Sequence, residues 1–283
     1  MASPLTAIVT GAARGIGRSI ALRLGRDGYR VAINDVRSST AEIEEVVNEL
    51  NSTDFRGRSP VEKYGAPAIR AIAIPGDVTL QRDVASMISR TVSTLGPLHL
   101  MVANAGKAPV KPLLSSTADD ITEVFSCNFN GAFNCYTEAA RQMIVQGDPE
   151  KIFGRQKYKI VGASSIAGFR AFAALGLYSA SKFAVRGLTQ AMAMELASHN
   201  ITVNAYAPGI VGTSMWDEVD KTLGQIEGRA PGETLKHYSK SIALGRTSVP
   251  EDVAGLVGGF LASEDSDYVT GQTMLVDGGI VLT

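Results

Sequence analysis

A glycine-rich turn near the start of the chain limits the fold more than any other stretch. Thr6-Ala7-Ile8-Val9-Thr10 is a short apolar run that reads as a strand; Gly11-Ala12-Ala13-Arg14-Gly15-Ile16-Gly17 follows, and a helical pattern runs from Arg18 to Asp27. Glycines let a backbone turn tightly and approach a pyrophosphate, and a helix starting there offers free N–H groups and a positive dipole end. The spacing is GxxxGxG rather than GxGxxG, and a glycine cluster alone also fits a plain turn. The strand–loop–helix context makes it a candidate nucleotide cradle.

The remaining chain repeats the alternation. Tyr29–Asp35 reads as the second strand, ending in Asp35, eighteen residues after Gly17. A carboxylate there can accept hydrogen bonds from both hydroxyls of an adenine ribose; the plainer reading is a surface Asp capping the next turn. A helix with a glutamate-rich solvated face follows over Ala41–Leu50, then a polar loop or insertion over Asn51–Pro67. Strands are expected at Ala68–Pro75, Leu98–Ala103, Tyr158–Ala163, Ile201–Ala207 and Thr273–Val276. Between them fall helices at Leu80–Leu95, at Ala118–Gln146 as one long helix, and at Val249–Ser263. Gly147–Lys157 is a second polar insertion, and Ile210–Ser248, where the pattern loosens after a strand, is a candidate lid. The pattern implies an α/β fold: a single-domain, doubly wound parallel sheet (a Rossmann fold) with helices on both faces and its site at the strands' carboxyl ends. Residues 1 to about 110 form its glycine-rich cofactor half and about 111–283 its catalytic half.

Composition excludes several classes. Of 283 residues 45% are hydrophobic and 19% charged, which is the balance of a globular protein. A net charge of −1 gives no reason to expect nucleic acid or an anionic membrane as partner. No apolar run reaches the ~18 residues of a membrane span. The N-terminus lacks the basic segment of a secretory signal, and Cys127 and Cys135 form no metal-ligand pattern, so reduced thiols and a cytoplasmic location are expected, with no metal.

The chemistry is expected around Ser165 and the pair Tyr178 and Lys182. Four residues apart on a helix, the phenol and ammonium share a face. The positive charge favours the phenolate and would lower the tyrosine pKa from about 10 toward the range of a general acid/base. Ser165, thirteen residues earlier, ends an apolar strand, where its hydroxyl can bond the same substrate oxygen. Asn128, inside an apolar helix, needs a specific polar partner.

With Thr10–Gly17, Asn104-Ala105-Gly106, Asn128, Ser165, Tyr178 with Lys182, and Pro208-Gly209 in view, the chain resembles the short-chain dehydrogenase/reductase family over nearly its whole length. The resemblance implies an enzyme that transfers a hydride between NAD(P) and a ketone or secondary alcohol, with a catalytic tetrad of Asn128, Ser165, Tyr178 and Lys182. It implies that Gly11, Arg14, Gly15, Ile16, Gly17, Asp35, Asp77, Val78, Asn104, Gly106, Tyr178, Lys182, Pro208, Gly209, Val211 and Thr213 bind the cofactor, and that Lys182 holds a ribose hydroxyl while Asn128 holds a water in a proton path. Met215–Asp220, Leu244-Gly245-Arg246 and Tyr268–Gln272 look like the acetoin/diacetyl reductases (butanediol dehydrogenases); polyol and sugar reductases and 3-oxoacyl reductases share some of these stretches. A dinucleotide-sensing protein without catalysis is the rival from another class.

Three finer expectations follow. Asp35 favours NAD (NADH) over NADP, against Arg14 and Arg37, which can pair with a 2′-phosphate. The substrate, a small or medium uncharged ketone such as diacetyl or acetoin, should meet Ser165, Ile166, Phe169, Phe172, Leu175, Leu177, Tyr178 and Trp216, with Arg170 turned to solvent. The family pattern and an apolar helix at Ala118–Gln146 imply a homotetramer.

Overall fold

The computed structural model describes residues 3–52 and 69–283. Seven strands form one sheet: β1 (Thr6–Val9), β2 (Arg30–Ile33), β3 (Ala71–Ala73), β4 (Leu98–Ala103), β5 (Tyr158–Ala163), β6 (Ile201–Pro208) and β7 (Thr273–Val276). All pairings are parallel, in the order β3-β2-β1-β4-β5-β6-β7. The order reverses direction between β1 and β4, and the crevice at that switch point is where such sheets take ligands.

Both faces of the sheet are buried, which is why its strands read as continuous apolar runs rather than alternating ones. Alternate residues still go to opposite sides. Ala7 and Val9 pack with Ile20 and Leu24 of α1 (Gly15–Arg26), Ile43 of α2 (Thr40–Ser52) and Val253 of α10 (Pro250–Leu256). Ile8 packs with Met87 of α3 (Gln81–Leu95), Tyr136 of α5 (Gly131–Gln146) and Val185 of α7 (Gly176–Leu196). Each fully buried aliphatic of this kind is worth about 1.5–3 kcal/mol.

The architecture expected from the sequence is present, with local differences. β3 covers Ala71–Ala73, less than the expected Ala68–Pro75, because only those residues find partners on β2. The expected insertion at Asn51–Pro67 lies outside the described residues beyond Ser52, where α2 ends. Ala118–Gln146 is not one regular helix. It is α4 (Ala118–Phe125), a π-helical turn over Ser126–Asn130, and α5. The extra residue in that turn carries Asn128 inward, and Gly131 follows it where a Cβ would come within 2.8 Å of Val78. Gly147–Lys157 is not featureless: Asp148 caps a short helix, α6 (Pro149–Phe153), whose Phe153 is buried. Ile210–Ser248 is largely helical, forming α8 (Ser214–Glu227) and α9 (Glu233–Ser239). Buried Asp220 joins them, its two oxygens accepting the backbone N–H of Gly232 at 2.7 Å and of Leu235 at 2.6 Å. No helix among the described residues is long and apolar enough to cross a membrane.

Candidate active site

The loop after β1 is shaped by close approach. Gly11 has φ +62°, and a Cβ there would meet the Ala105 backbone at 2.8 Å; one at Gly17 would collide with the Gly11 carbonyl. Asn104, after β4, locks the loop. Its amide donates to the carbonyls of Thr10 at 2.8 Å and Gly11 at 3.0 Å, and its oxygen accepts the Tyr206 hydroxyl at 2.7 Å from β6. The side chain is thus spent on protein, and Asn104 supports the cradle from behind. The α1 N-terminus behind this loop has no acidic residue in its first turn, and Arg14 makes no side-chain cap. N–H groups without helical partners at a positive dipole end fit an anionic pyrophosphate.

Asp35 stands at the end of β2. One carboxylate oxygen accepts the Ala13 N–H at 3.1 Å and the other its neighbour Val36 N–H at 2.8 Å. Arg37 is turned to Asp83, with 3.0 Å between guanidinium and carboxylate, and Asp83 also accepts the Asp77 N–H. The Asp77 carboxylate accepts the N–H of Thr79, and the carbonyl of Val78 accepts the amide of Asn134, so both residues are held at the mouth of β3.

Ser165 follows β5 and Tyr178 and Lys182 face it from α7. The Ser165 hydroxyl accepts the Ala167 N–H at 3.1 Å and lines the same cavity as Tyr178. The Lys182 ammonium, buried, donates to the carbonyl of Ala163 at 2.9 Å and lies 5.6 Å from the Tyr178 ring centroid. Asn128 is also buried. Its amide donates to the carbonyl of Lys107 at 2.9 Å and to Ser181 at 3.0 Å, and its oxygen accepts the Lys107 N–H at 2.9 Å. Ser181 in turn donates to the Tyr178 carbonyl at 2.7 Å. A Cβ at Gly106 would touch both the Asn128 oxygen and the Lys182 ammonium, at 3.2 and 3.3 Å, so Gly106 lies directly against the two.

The electrostatics differ from the expected lowering of the Tyr178 pKa. Burial raises it, and the hydrogen bond from Ser165 offsets this in part. Burial also brings Lys182 down to about 8, because one carbonyl replaces only part of an ammonium's hydration.

Ser165 and Tyr178 open onto a cavity of about 500 Å3. Ile16, Pro208, Gly209, Val211 and Thr213 contribute one side, which brings five of the expected cofactor residues to the substrate residues. Ile166, Phe172, Leu175 and Trp216 line it as expected. Phe169 and Leu177 do not; Phe169 is turned under Arg186, whose guanidinium lies 3.8 Å from its ring centre. Arg170 is exposed, as expected, and also contributes to the cavity lining. Unforeseen are Met215, Val219, His237 and Tyr238 from α8 and α9, and Ile280 from the chain's end. The lid segment pointed to them only collectively.

Fold and site together define a dinucleotide-dependent oxidoreductase. A model of the short chain dehydrogenase family matches residues 5–224. The chain is 45% identical to an L-2,3-butanediol dehydrogenase of Corynebacterium glutamicum, over 97% of this chain and 98% of that one. It is 38% identical to an (S)-acetoin-forming diacetyl reductase of Staphylococcus epidermidis, over 98% of each. Among solved structures, an actinorhodin polyketide ketoreductase with NADPH superposes with a TM-score of 0.84 at 27% identity, covering 99% of both chains. The chain belongs to the short-chain dehydrogenase family, oxidoreductases that act on ketones and alcohols with NAD(P).

Proposed function

We propose that the protein interconverts a vicinal diketone or hydroxyketone of the diacetyl/acetoin kind and its alcohol, using NAD(H). One observation carries this reading. Ser165 and Tyr178 open together onto one cavity, and Ile166, Phe172, Leu175 and Trp216 line it beside them. Two hydroxyls can hold one carbonyl oxygen, and apolar walls next to them suit the uncharged carbons that flank it. The names of the two relatives agree with such a substrate.

In this reading Tyr178 transfers the proton to or from the substrate oxygen and Ser165 orients that oxygen. Lys182 stabilises the phenolate and holds a ribose hydroxyl, and Asn128, through Ser181 and Lys107, keeps the end of the proton path in place. The bound nicotinamide supplies or accepts the hydride. The Gly11–Gly17 loop holds the pyrophosphate, with Asp77 and Val78 toward the adenine and Val211 and Thr213 toward the nicotinamide.

The preference for NAD over NADP rests on Asp35, which would face a 2′-phosphate, and on Arg37, which is engaged by Asp83. Arg14 alone remains for the opposite preference. A homotetramer is the assembly we infer, since Phe133 of α5 and Phe183 and Met194 of α7 leave apolar surface exposed; a cytoplasmic location goes with it. Initial rates with NADH on diacetyl, acetoin, a ketopentose, an acetoacetyl thioester and a bulky aryl ketone test the function. Fast turnover of the sugar with none of the diketone would overturn it.

A further inference from the structure

The cavity is less neutral than a four-carbon diketone requires. Its volume of about 500 Å3 is shared between the cofactor residues Ile16, Pro208, Gly209, Val211 and Thr213 on one side and the substrate residues on the other. Its walls are mostly apolar, with hydroxyls from Ser165, Tyr178, Thr213, Tyr238 and Ser241. Among the described residues Arg170, which is exposed, is the only Arg, Lys, Asp or Glu that lines it, and its guanidinium has no ion pair or hydrogen bond among them. Nearby arginines are engaged: Arg186 is stacked on Phe169 and bonded to the Gly168 carbonyl, and Arg229 is paired with Glu227. His237, also exposed, lines the same cavity from α9. Its ring stands edge-on to Tyr238 at 5.2 Å, Tyr238 is tied by its hydroxyl to Glu227, and neither imidazole nitrogen has a hydrogen-bond partner among the described residues.

We infer that Arg170 and His237 form a carboxylate-binding subsite, so that the natural substrate is a ketone carrying an acidic tail. This rests on the proposed ketone/alcohol chemistry for the head group and extends it outward. A guanidinium presents parallel N–H donors matched to a carboxylate, and an imidazole adds one more. Apolar lining residues such as Ile166, Phe172 and Leu175 would take the connecting methylenes. An uncharged diketone fills only the inner part and leaves the pair unused.

The experiment reads binding without turnover. Trp216 is the only tryptophan of the chain and lines the same cavity, so its fluorescence reports occupancy. Hexanoate and hexanamide, equal in length and differing in charge, are titrated into the enzyme with oxidised cofactor present. Hexanoate should bind at least tenfold more tightly; Arg170→Gln should bring the two to the same Kd, and His237→Asn should narrow the gap. Equal affinities in the wild type, or a preference that survives Arg170→Gln, would overturn the subsite. The binding result holds even if no diketone is reduced, an outcome that would instead sink the proposed function. With turnover, 4,5-dioxohexanoate should exceed 2,3-hexanedione in kcat/KM by a similar factor in the wild type and not in Arg170→Gln; equal values in the wild type would count against the subsite.

Discussion

Lys182 lies with its ammonium 5.6 Å from the Tyr178 ring centre while its hydrogen bond goes elsewhere, to the Ala163 carbonyl 2.9 Å away. No carboxylate among the described residues pairs with it. Burial lowers its pKa from the usual 10.5 to about 8, so below pH 8 the fold bears the full cost of a confined ammonium. Between about 8 and 10.5 the unfolded chain binds more protons than the folded one, and stability rises with pH. Lys182→Met should therefore stabilise the ligand-free protein at pH 7 by about 1–3 kcal/mol, with the gain shrinking toward pH 10, while reducing turnover at least a hundredfold. Urea midpoints at the two pH values check this, and a variant less stable at pH 7 would refute it.

Tyr178 is raised by burial, so the resting enzyme carries the neutral phenol. Alcohol oxidation, which needs the base, should speed up with rising pH, and ketone reduction, which needs the acid, should slow. Tyr178→Phe should cost about three orders of magnitude in kcat, within the range of acid–base catalysis, while the Kd for NADH stays within a few-fold. A phenylalanine variant retaining near-normal rates would remove Tyr178 from the mechanism.

His99 sits buried at the start of β4, against Tyr29, Phe153 and Tyr158, and burial with Arg155 and Lys159 nearby depresses it to about 3. The unfolded chain takes up this proton near pH 6.5 and the folded one only near 3. Stability is complete above 6.5 and falls as pH drops through that window, by up to a few kcal/mol. His99→Phe, which keeps a ring in place, should flatten the dependence of the urea midpoint between pH 7.5 and 4.5. An unchanged slope would assign acid sensitivity to other groups.

Asp220 joins α8 to α9 through two short hydrogen bonds to backbone N–H groups. Asp220→Ala leaves both donors without their acceptor, at about 1–3 kcal/mol each where water cannot reach. α9 carries His237 and Tyr238 to the cavity, so KM for the ketone should rise at least fivefold with the Kd for NADH unchanged. Equal changes in both constants would point to general unfolding instead.

Asp35 and Arg37 give a further test. Asp35→Ser removes the carboxylate that would oppose a 2′-phosphate, and kcat/KM with NADPH should rise at least tenfold relative to NADH. A tenfold preference for NADPH in the wild type would contradict the assignment.

Chemistry was easier to read from the sequence than the shape of the pocket. Thr6–Gly17, Ser165, Tyr178 and Lys182 could be placed because strand, turn and helix periodicities are local. The π-turn at Ser126–Asn130 shows in the sequence only as the polar Asn128 in an apolar stretch, since it adds a residue to a helix without changing its period elsewhere. α8 and α9 were missed because Asp220, twelve and fifteen residues from the N–H groups it binds, organises them across distance. Arg170 is exposed, as the sequence suggests, and what the sequence does not show is that the cavity lining extends out to it.

Asn104 fastens Thr10 and Gly11 at the end of β1 to Tyr206 on β6, across β4 and β5. The strut ties the floor of the crevice together on both sides of the switch point, so the two halves of the sheet cannot part like a hinge. On the opposite side of the cavity Asp220 binds α8 to α9 in the same manner, so floor and roof are each held by one polar side chain that touches no reacting atom.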